Sequence, residues 1–210
     1  MTDAPLLGPT EIFILFFVTL GPLKLLGPFV QQTRELEPAA LRAIALRAFV
    51  LGSVAAVVGG YVGMLLAHKW HLSLPAIEIT AGLILLLVAL GIVMSAYGPP
   101  PEAAQPLPAA PMAATLRLTF PQVLTPYGIA VVIALLAAAH GDTERQTLIF
   151  ALLIAVMVLN LLAMLYARSI MRGVMLLILQ VLGAVLGVLQ VALAIQIMLG
   201  ALRQLGVISG

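Results

Sequence analysis

The chain has 210 residues, of which 63% are hydrophobic and only 9% are charged, and its mean hydropathy is +1.19. Because soluble domains carry about 25% charged residues, this composition excludes a soluble globular domain and predicts a polytopic membrane protein, with the lipid bilayer as its surroundings. The net charge of +2 without a basic run does not imply a nucleic-acid partner, and the lack of cysteine excludes a disulfide framework and any thiolate site.

Six apolar segments have the length of about 20 residues that crosses the hydrocarbon core. They are predicted, in chain order, near residues 11–31, 43–67, 75–97, 116–139, 147–166 and 174–202. A segment with six prolines between Gly98 and Pro111 predicts an extended linker. The sequence therefore predicts an all-α protein with a first three-span repeat at 1–97, a linker loop at 98–115 and a second three-span repeat at 116–210.

The first span contains two Gly-Pro pairs, Gly21-Pro22 and Gly27-Pro28, with Lys24 between them. Each proline removes a backbone donor and each glycine loosens the helix, so a broken span is predicted over residues 21–28. A broken helix with a cation is typical of a transporter site near the middle of the bilayer. The alternative is that Lys24 extends its ammonium group to the headgroups.

The fourth span contains a second broken stretch over residues 121–128, about one hundred residues after the first. Because each half has three spans, the second half is predicted to be inverted relative to the first. Paired breaks predict a substrate site between the halves. Its predicted residues are Gly21, Pro22, Lys24, Gly27, Pro28, Pro121, Gln122, Thr125, Pro126 and Gly128.

Several polar residues outside the breaks have two interpretations. Glu78 is either a residue of the outer interface, or a carrier of a coupling ion or proton or a partner for Lys24. Asn160 and Gln190 are predicted to form hydrogen bonds between helices. His68 and His71 are spaced to share a helical face, but no third ligand is near them in sequence, so no metal site is predicted.

Basic residues are unevenly distributed between the two predicted sides of the membrane. The richer side holds Arg34, Arg42, Arg47, Arg117, Arg168 and Arg172. Because cytoplasmic loops are rich in arginine and lysine, this side is predicted to be cytoplasmic. Both termini would then lie on the non-cytoplasmic face of a bacterial inner membrane.

Two stretches, residues 73–90 and 189–200, resemble the third and last spans of the MarC family of integral membrane proteins, also described as a neutral amino acid transporter family. Arg42 and Arg47 resemble the start of the family's second span. The resemblance covers nearly the whole chain except the proline linker, and it implies six spans and amino acid transport.

The broken stretches depart from the family pattern. Lys24 stands where the family's first break carries a small or amide group, and Arg117, Thr125 and Tyr127 replace a proline and two glycines in the fourth span. These replacements favour a substrate with a carboxylate or phosphate over a zwitterionic neutral one.

The predicted function is therefore secondary, alternating-access transport of a small solute such as an amino acid or another carboxylate-bearing metabolite. The alternatives are a carrier of a lipid phosphate, an efflux carrier, and a membrane scaffold that transports nothing. A homo-oligomer is compatible with each. No catalytic motif is present in the sequence, so the chain is not predicted to be an enzyme and no cofactor is expected.

Overall fold

A computed structural model describes residues 8–95, 108, 110–171 and 174–208. The side chain of Lys24 lies outside this description, as do Arg172 and most of the proline-rich linker. All regular structure in the described residues is helical. The helices are α1 Pro9–Leu20, α2 Leu23–Gln32, α3 Pro38–Lys69, α4 Leu74–Ser95, α5 Pro111–Leu118, α6 Pro126–Ala138, α7 Thr143–Ile170 and α8 Val174–Gln204, with a kinked segment Thr119–Val123 between α5 and α6.

Prolines begin several of these helices. Pro9, Pro38, Pro111 and Pro126 lie in the first turns of α1, α3, α5 and α6. The first backbone N–H groups of a helix have no partner within it, so a proline there costs no hydrogen bond and its fixed φ favours the helix. Helix α5 therefore begins within the segment that the proline pattern assigned to the linker.

The described helices provide five or six candidate membrane spans. Five helical stretches are long and apolar enough to cross a membrane, and the pair Pro111–Val123 and Pro126–Ala138, bent by 61°, makes a sixth when both helices are taken as one span. The first of the five combines α1 and α2 into one stretch, Pro9–Gln32. This confirms an all-α polytopic protein; the inverted relation of its two halves stays a prediction.

The predicted break at Gly27-Pro28 is wrong. Both residues lie inside α2, and only Gly21 and Pro22 interrupt the first span. Pro28 lacks an N–H, so the carbonyl of Lys24 loses its helical partner, but the helix continues beyond it to Gln32.

Three contacts between distant parts of the chain show which helix ends lie at the same end of the bundle. They join Arg168 to Thr33, His68 to His140, and Gln204 to Glu78. The first pairs the end of α7 with the end of α2, and the other two involve the ends of α3, α6 and α8 and the start of α4. We call the side with Arg34, Arg42 and Arg168 the arginine-rich end and the other side the opposite end.

Glycines of α3 allow the bent span to pack closely against it. A Cβ on Gly60 would lie 3.3 Å from Leu136 and closer still to Val132, and a Cβ on Gly52 would lie 3.1 Å from Val123. A Cβ on Gly63 would likewise overlap Ile133. Small residues at helix contacts are how membrane helices gain packing energy, so α3 fixes the position of the bent span.

Candidate functional site at the junction of the two interrupted spans

The first interruption leaves the end of α1 without helical hydrogen-bond donors. Gly21 is extended, with φ −71° and ψ 172°, and a Cβ at this position would overlap the carbonyl group of Phe17. Pro22 has no N–H that could bond to the carbonyl of Val18. In hydrocarbon, carbonyls freed in this way need other partners.

Side chains from three other spans supply those partners. The last three carbonyls of α1 each accept a hydrogen bond from a residue far away in sequence. The bonds are Gln190 Nε2 to Val18 O at 2.6 Å, Thr125 Oγ1 to Thr19 O at 3.4 Å, and Asn160 Nδ2 to Leu20 O at 2.7 Å. The prediction that Asn160 and Gln190 form hydrogen bonds between helices is confirmed, and the acceptors are backbone carbonyls at the first break.

The second interruption is the sharper one. Phe120 leaves helical geometry with φ −118° and ψ 126°, and its peptide bond to Pro121 is cis. Thr125 then begins α6, because its Oγ1 accepts a hydrogen bond at 3.2 Å from the N–H of Gly128. An N-cap of this kind satisfies a donor that the helix itself cannot use.

The two interruptions meet inside the bundle. A Cβ on Gly128 would overlap Cδ2 of Leu20, and it would lie 2.7 Å from Leu20 Cγ and 2.8 Å from Thr125 Oγ1. Only a glycine leaves space for Leu20 here. We call this region, residues 18–22 and 125–128, the junction.

The predicted site residues are distributed unevenly around the junction. Gly21, Thr125 and Gly128 are buried in it. Pro22, Gly27 and Gln122 are partly buried, while Pro28, Pro121 and Pro126 are exposed on the surface of the isolated chain. The structure thus brings together the central residues of both breaks and leaves the outer prolines at the bundle surface.

Two amide oxygens near the breaks are buried without a hydrogen-bond partner among the described residues, namely Asn160 Oδ1 and Gln122 Oε1. The side chain of Asn160 is only 1% exposed. A buried unpaired acceptor costs free energy unless something else bonds to it. Helix α2 adds donors, because no side chain of the described residues caps its N-terminus at Pro22.

Glu78 lies away from the junction. It is near the start of α4, where its Oε2 accepts a hydrogen bond at 2.9 Å from Gln204 Nε2 at the end of α8. This contact joins the third span to the sixth at the opposite end.

The two histidines predicted to share a helical face do not do so. Helix α3 ends at Lys69, and His71 follows it with φ 55°. The ring of His68 instead stacks on that of His140, with centroids 4.5 Å apart, beside a cavity of about 100 Å³. His140 is 72 residues further along the chain, so only the packing of α3 against α6 reveals this pair. No cluster of three His, Cys, Asp or Glu residues that could hold a metal ion occurs in the described part of the chain.

Arg168 is a structural residue whose partners the sequence did not indicate. Its Nη2 donates to the carbonyls of Thr33 and Leu36, both at 2.6 Å, and to that of Arg34 at 3.4 Å. These carbonyls follow the C-terminal end of α2, where a cation is also favoured by the helix dipole.

We expect Arg168→Ala to destabilise the protein. Hydrogen bonds from a charged donor contribute about 1.5–3 kcal/mol each when buried, and solvent at this partly exposed site reduces the total loss to about 1 kcal/mol. A loss of that size lowers the melting temperature by roughly 2–4 °C. Thermal unfolding of the purified protein in detergent measures it.

Arg47→Ala is the matched control, because Arg47 is exposed near the same end and has no hydrogen bond to a described residue. It should leave the melting temperature unchanged. Arg168→Lys should recover only part of the loss, since an ammonium cannot reproduce the planar set of guanidinium donors. Equal effects of Arg168→Ala and Arg47→Ala would contradict this role.

The helices and the junction define an α-helical integral membrane protein in which two interrupted spans meet within the bundle. The chain belongs to the MarC family, since the family model described as MarC family integral membrane protein matches residues 9–205. No curated protein and no solved structure gave a significant match.

Proposed function

We propose that the protein is a secondary carrier that binds a small carboxylate-bearing solute, such as an amino acid, at the junction. The observation that carries this proposal is the meeting of two interrupted spans beside the buried, unpartnered oxygen of Asn160. Paired interruptions near the middle of two spans are how many secondary transporters build their sites.

The charges around the junction favour an anionic group on the substrate. The N-terminal ends of α2 and α6 both begin at an interruption, and a helix N-terminus carries a partial positive charge. Lys24 is the second residue of α2 and would pair with the substrate carboxylate. Thr125 and Gln122 would orient the substrate, and the free oxygens of Gln122 and Asn160 suit an amino group.

Rocking of one half of the chain against the other would open the junction to each side in turn. Glu78 is our candidate for coupling to an ion or proton, through a change in its bond to Gln204. The arginine-rich end would face the cytoplasm of a bacterial cell, with both termini on the other side of its inner membrane.

A membrane scaffold is the second candidate, and two observations favour it. The three carbonyls freed by the first interruption already have protein donors, and Leu20 fills the space beside Gly128. An interruption whose freed carbonyls all have protein donors can have a role in helix packing alone.

A binding screen distinguishes the two candidates. Purified protein is heated with each of the amino acids, with short organic acids such as succinate, and with phosphates such as glycerol 3-phosphate. A ligand at one hundred times its Kd stabilises the folded state by about 2.7 kcal/mol, which raises the melting temperature by roughly 5–10 °C. We expect this shift with at least one carboxylate.

Lys24→Ala should abolish the shift, and Lys69→Ala is the matched control because Lys69 lies at the end of α3. Uptake of the same solute into proteoliposomes then establishes transport. If no compound stabilises the wild-type protein, the carrier proposal fails and the scaffold is favoured. Equal shifts in wild type and Lys24→Ala would remove Lys24 from the site.

A further inference from the structure

A groove of about 360 Å³ lies between α3 and α7, and none of its lining residues belongs to the junction. Its walls come from residues of both helices. They are Arg42, Leu46, Leu161, Leu165 and Tyr166.

The lining residues are ordered along the axes of α3 and α7. Arg42 lies near the start of α3 and Tyr166 near the end of α7, so both are at the arginine-rich end. Leu46 and Leu161 lie further inside their helices, and Leu161 is about 7 Å deeper than Tyr166 along the axis of α7. The groove therefore has a polar opening at the arginine-rich end and an apolar interior, and tyrosine is a residue typical of a membrane–water interface.

The polar opening carries the positive charge of Arg42, which pairs with none of the described residues. Arg42 is exposed, and none of the described residues forms a hydrogen bond or an ion pair with it. This distinguishes it from Arg168, whose guanidinium binds three backbone carbonyls. None of the described residues that line the groove carries a carboxylate. The guanidinium is therefore available to bind an anion, and a phosphate suits it well because the two can form a bidentate pair.

The exposed leucine side chains favour an anion that carries an acyl chain. Leu46 is 53% exposed and Leu165 is 37% exposed in the groove wall, and a soluble phosphate would leave both uncovered. An acyl chain would cover them, and basic pockets between membrane helices on the cytoplasmic side are known to bind acidic lipid headgroups. We propose that this groove binds an anionic phospholipid, with its phosphate on Arg42 and an acyl chain along the leucines. This site is independent of the carrier proposal.

The test is lipid binding by the full chain in detergent, measured by native mass spectrometry with dioleoyl phosphatidylglycerol and dioleoyl phosphatidylcholine. One basic side chain near the surface favours an anionic lipid about fivefold, so wild type should prefer phosphatidylglycerol by that factor. Arg42→Gln should bring the two lipids to within about twofold of each other, and Arg42→Lys should retain only part of the preference, since an ammonium keeps the charge but cannot bind the phosphate bidentately.

Two further variants test whether the charge of Arg42 and the groove itself are responsible for the binding. Arg47→Gln removes an arginine of the same helix that does not line the groove, and it should leave the preference unchanged. Leu165→Trp fills the groove without changing its charge and should weaken binding of phosphatidylglycerol. Melting temperatures confirm that each variant is folded.

The proposal fails if Arg42→Gln keeps the wild-type preference, or if Arg47→Gln loses it equally. It also fails if glycerol 3-phosphate displaces phosphatidylglycerol at equal concentration, because the groove would then bind the phosphate group without its chain. Unchanged binding by Leu165→Trp would place the lipid elsewhere on the surface. None of these outcomes bears on the amino acid screen at the junction.

Discussion

Replacement of Gly128 by alanine should destabilise the protein by roughly 3 kcal/mol. The new Cβ would overlap Leu20 and lie 2.8 Å from Thr125 Oγ1, so it both overpacks the junction and disturbs the N-cap of α6. Overpacking costs about 1–3 kcal/mol and loss of an N-cap about 1 kcal/mol. Thermal unfolding in detergent should show a fall of roughly 6–12 °C in the melting temperature.

Gly59→Ala is the matched control for this change, because Gly59 lies in α3 and a Cβ added there would have nothing within 4 Å. It should leave stability unchanged or raise it by up to about 1 kcal/mol, since alanine is the better helix former.

A double mutant tests the contact itself. Leu20→Ala alone should cost about 2–5 kcal/mol because it opens a cavity. In the Gly128→Ala background the same change removes the overlap, so the double mutant should be more stable than the sum of the two single effects predicts. Strict additivity would show that the two interruptions are not in contact.

Asn160→Leu should also destabilise the protein, by about 2 kcal/mol. The leucine is of similar size but cannot donate to the carbonyl of Leu20, which is bonded at 2.7 Å in the wild type. The carbonyl would be left unpaired in an apolar environment, at a cost of about 1–3 kcal/mol. Gln190→Leu should have a similar effect through the carbonyl of Val18.

Gln196→Leu on α8 is the control, because Gln196 is exposed and is not the donor to any of the three bonded carbonyls. Its replacement should be neutral or stabilising in detergent. A gain in stability from Asn160→Leu would mean that the unpartnered Oδ1 costs more than the bond to Leu20 contributes. That result would indicate that Asn160 is kept for binding, since functional groups often lower stability.

Composition and local pattern were enough to predict the class of protein and its spans. An apolar helix of about 20 residues spans the hydrocarbon core of a bilayer, and its backbone hydrogen bonds are satisfied within the helix. Gly21-Pro22 and Pro121 were also correctly identified as interruptions, because loss of a donor at proline is a local property. Gly27-Pro28 was wrong because a helix can tolerate one proline when few of its bonds depend on it.

The tertiary structure alone decided what satisfies the first interruption. Thr125, Asn160 and Gln190 lie 106, 140 and 172 residues from the carbonyls that they bind, and nothing in the sequence of an apolar helix indicates which neighbour a given amide side chain will contact. The same holds for Arg168 and for the stacked histidines. Hydrophobicity places each span in the membrane without choosing its partners, and the choice is made by steric fit, such as Gly128 against Leu20, and by the need to bond every freed carbonyl.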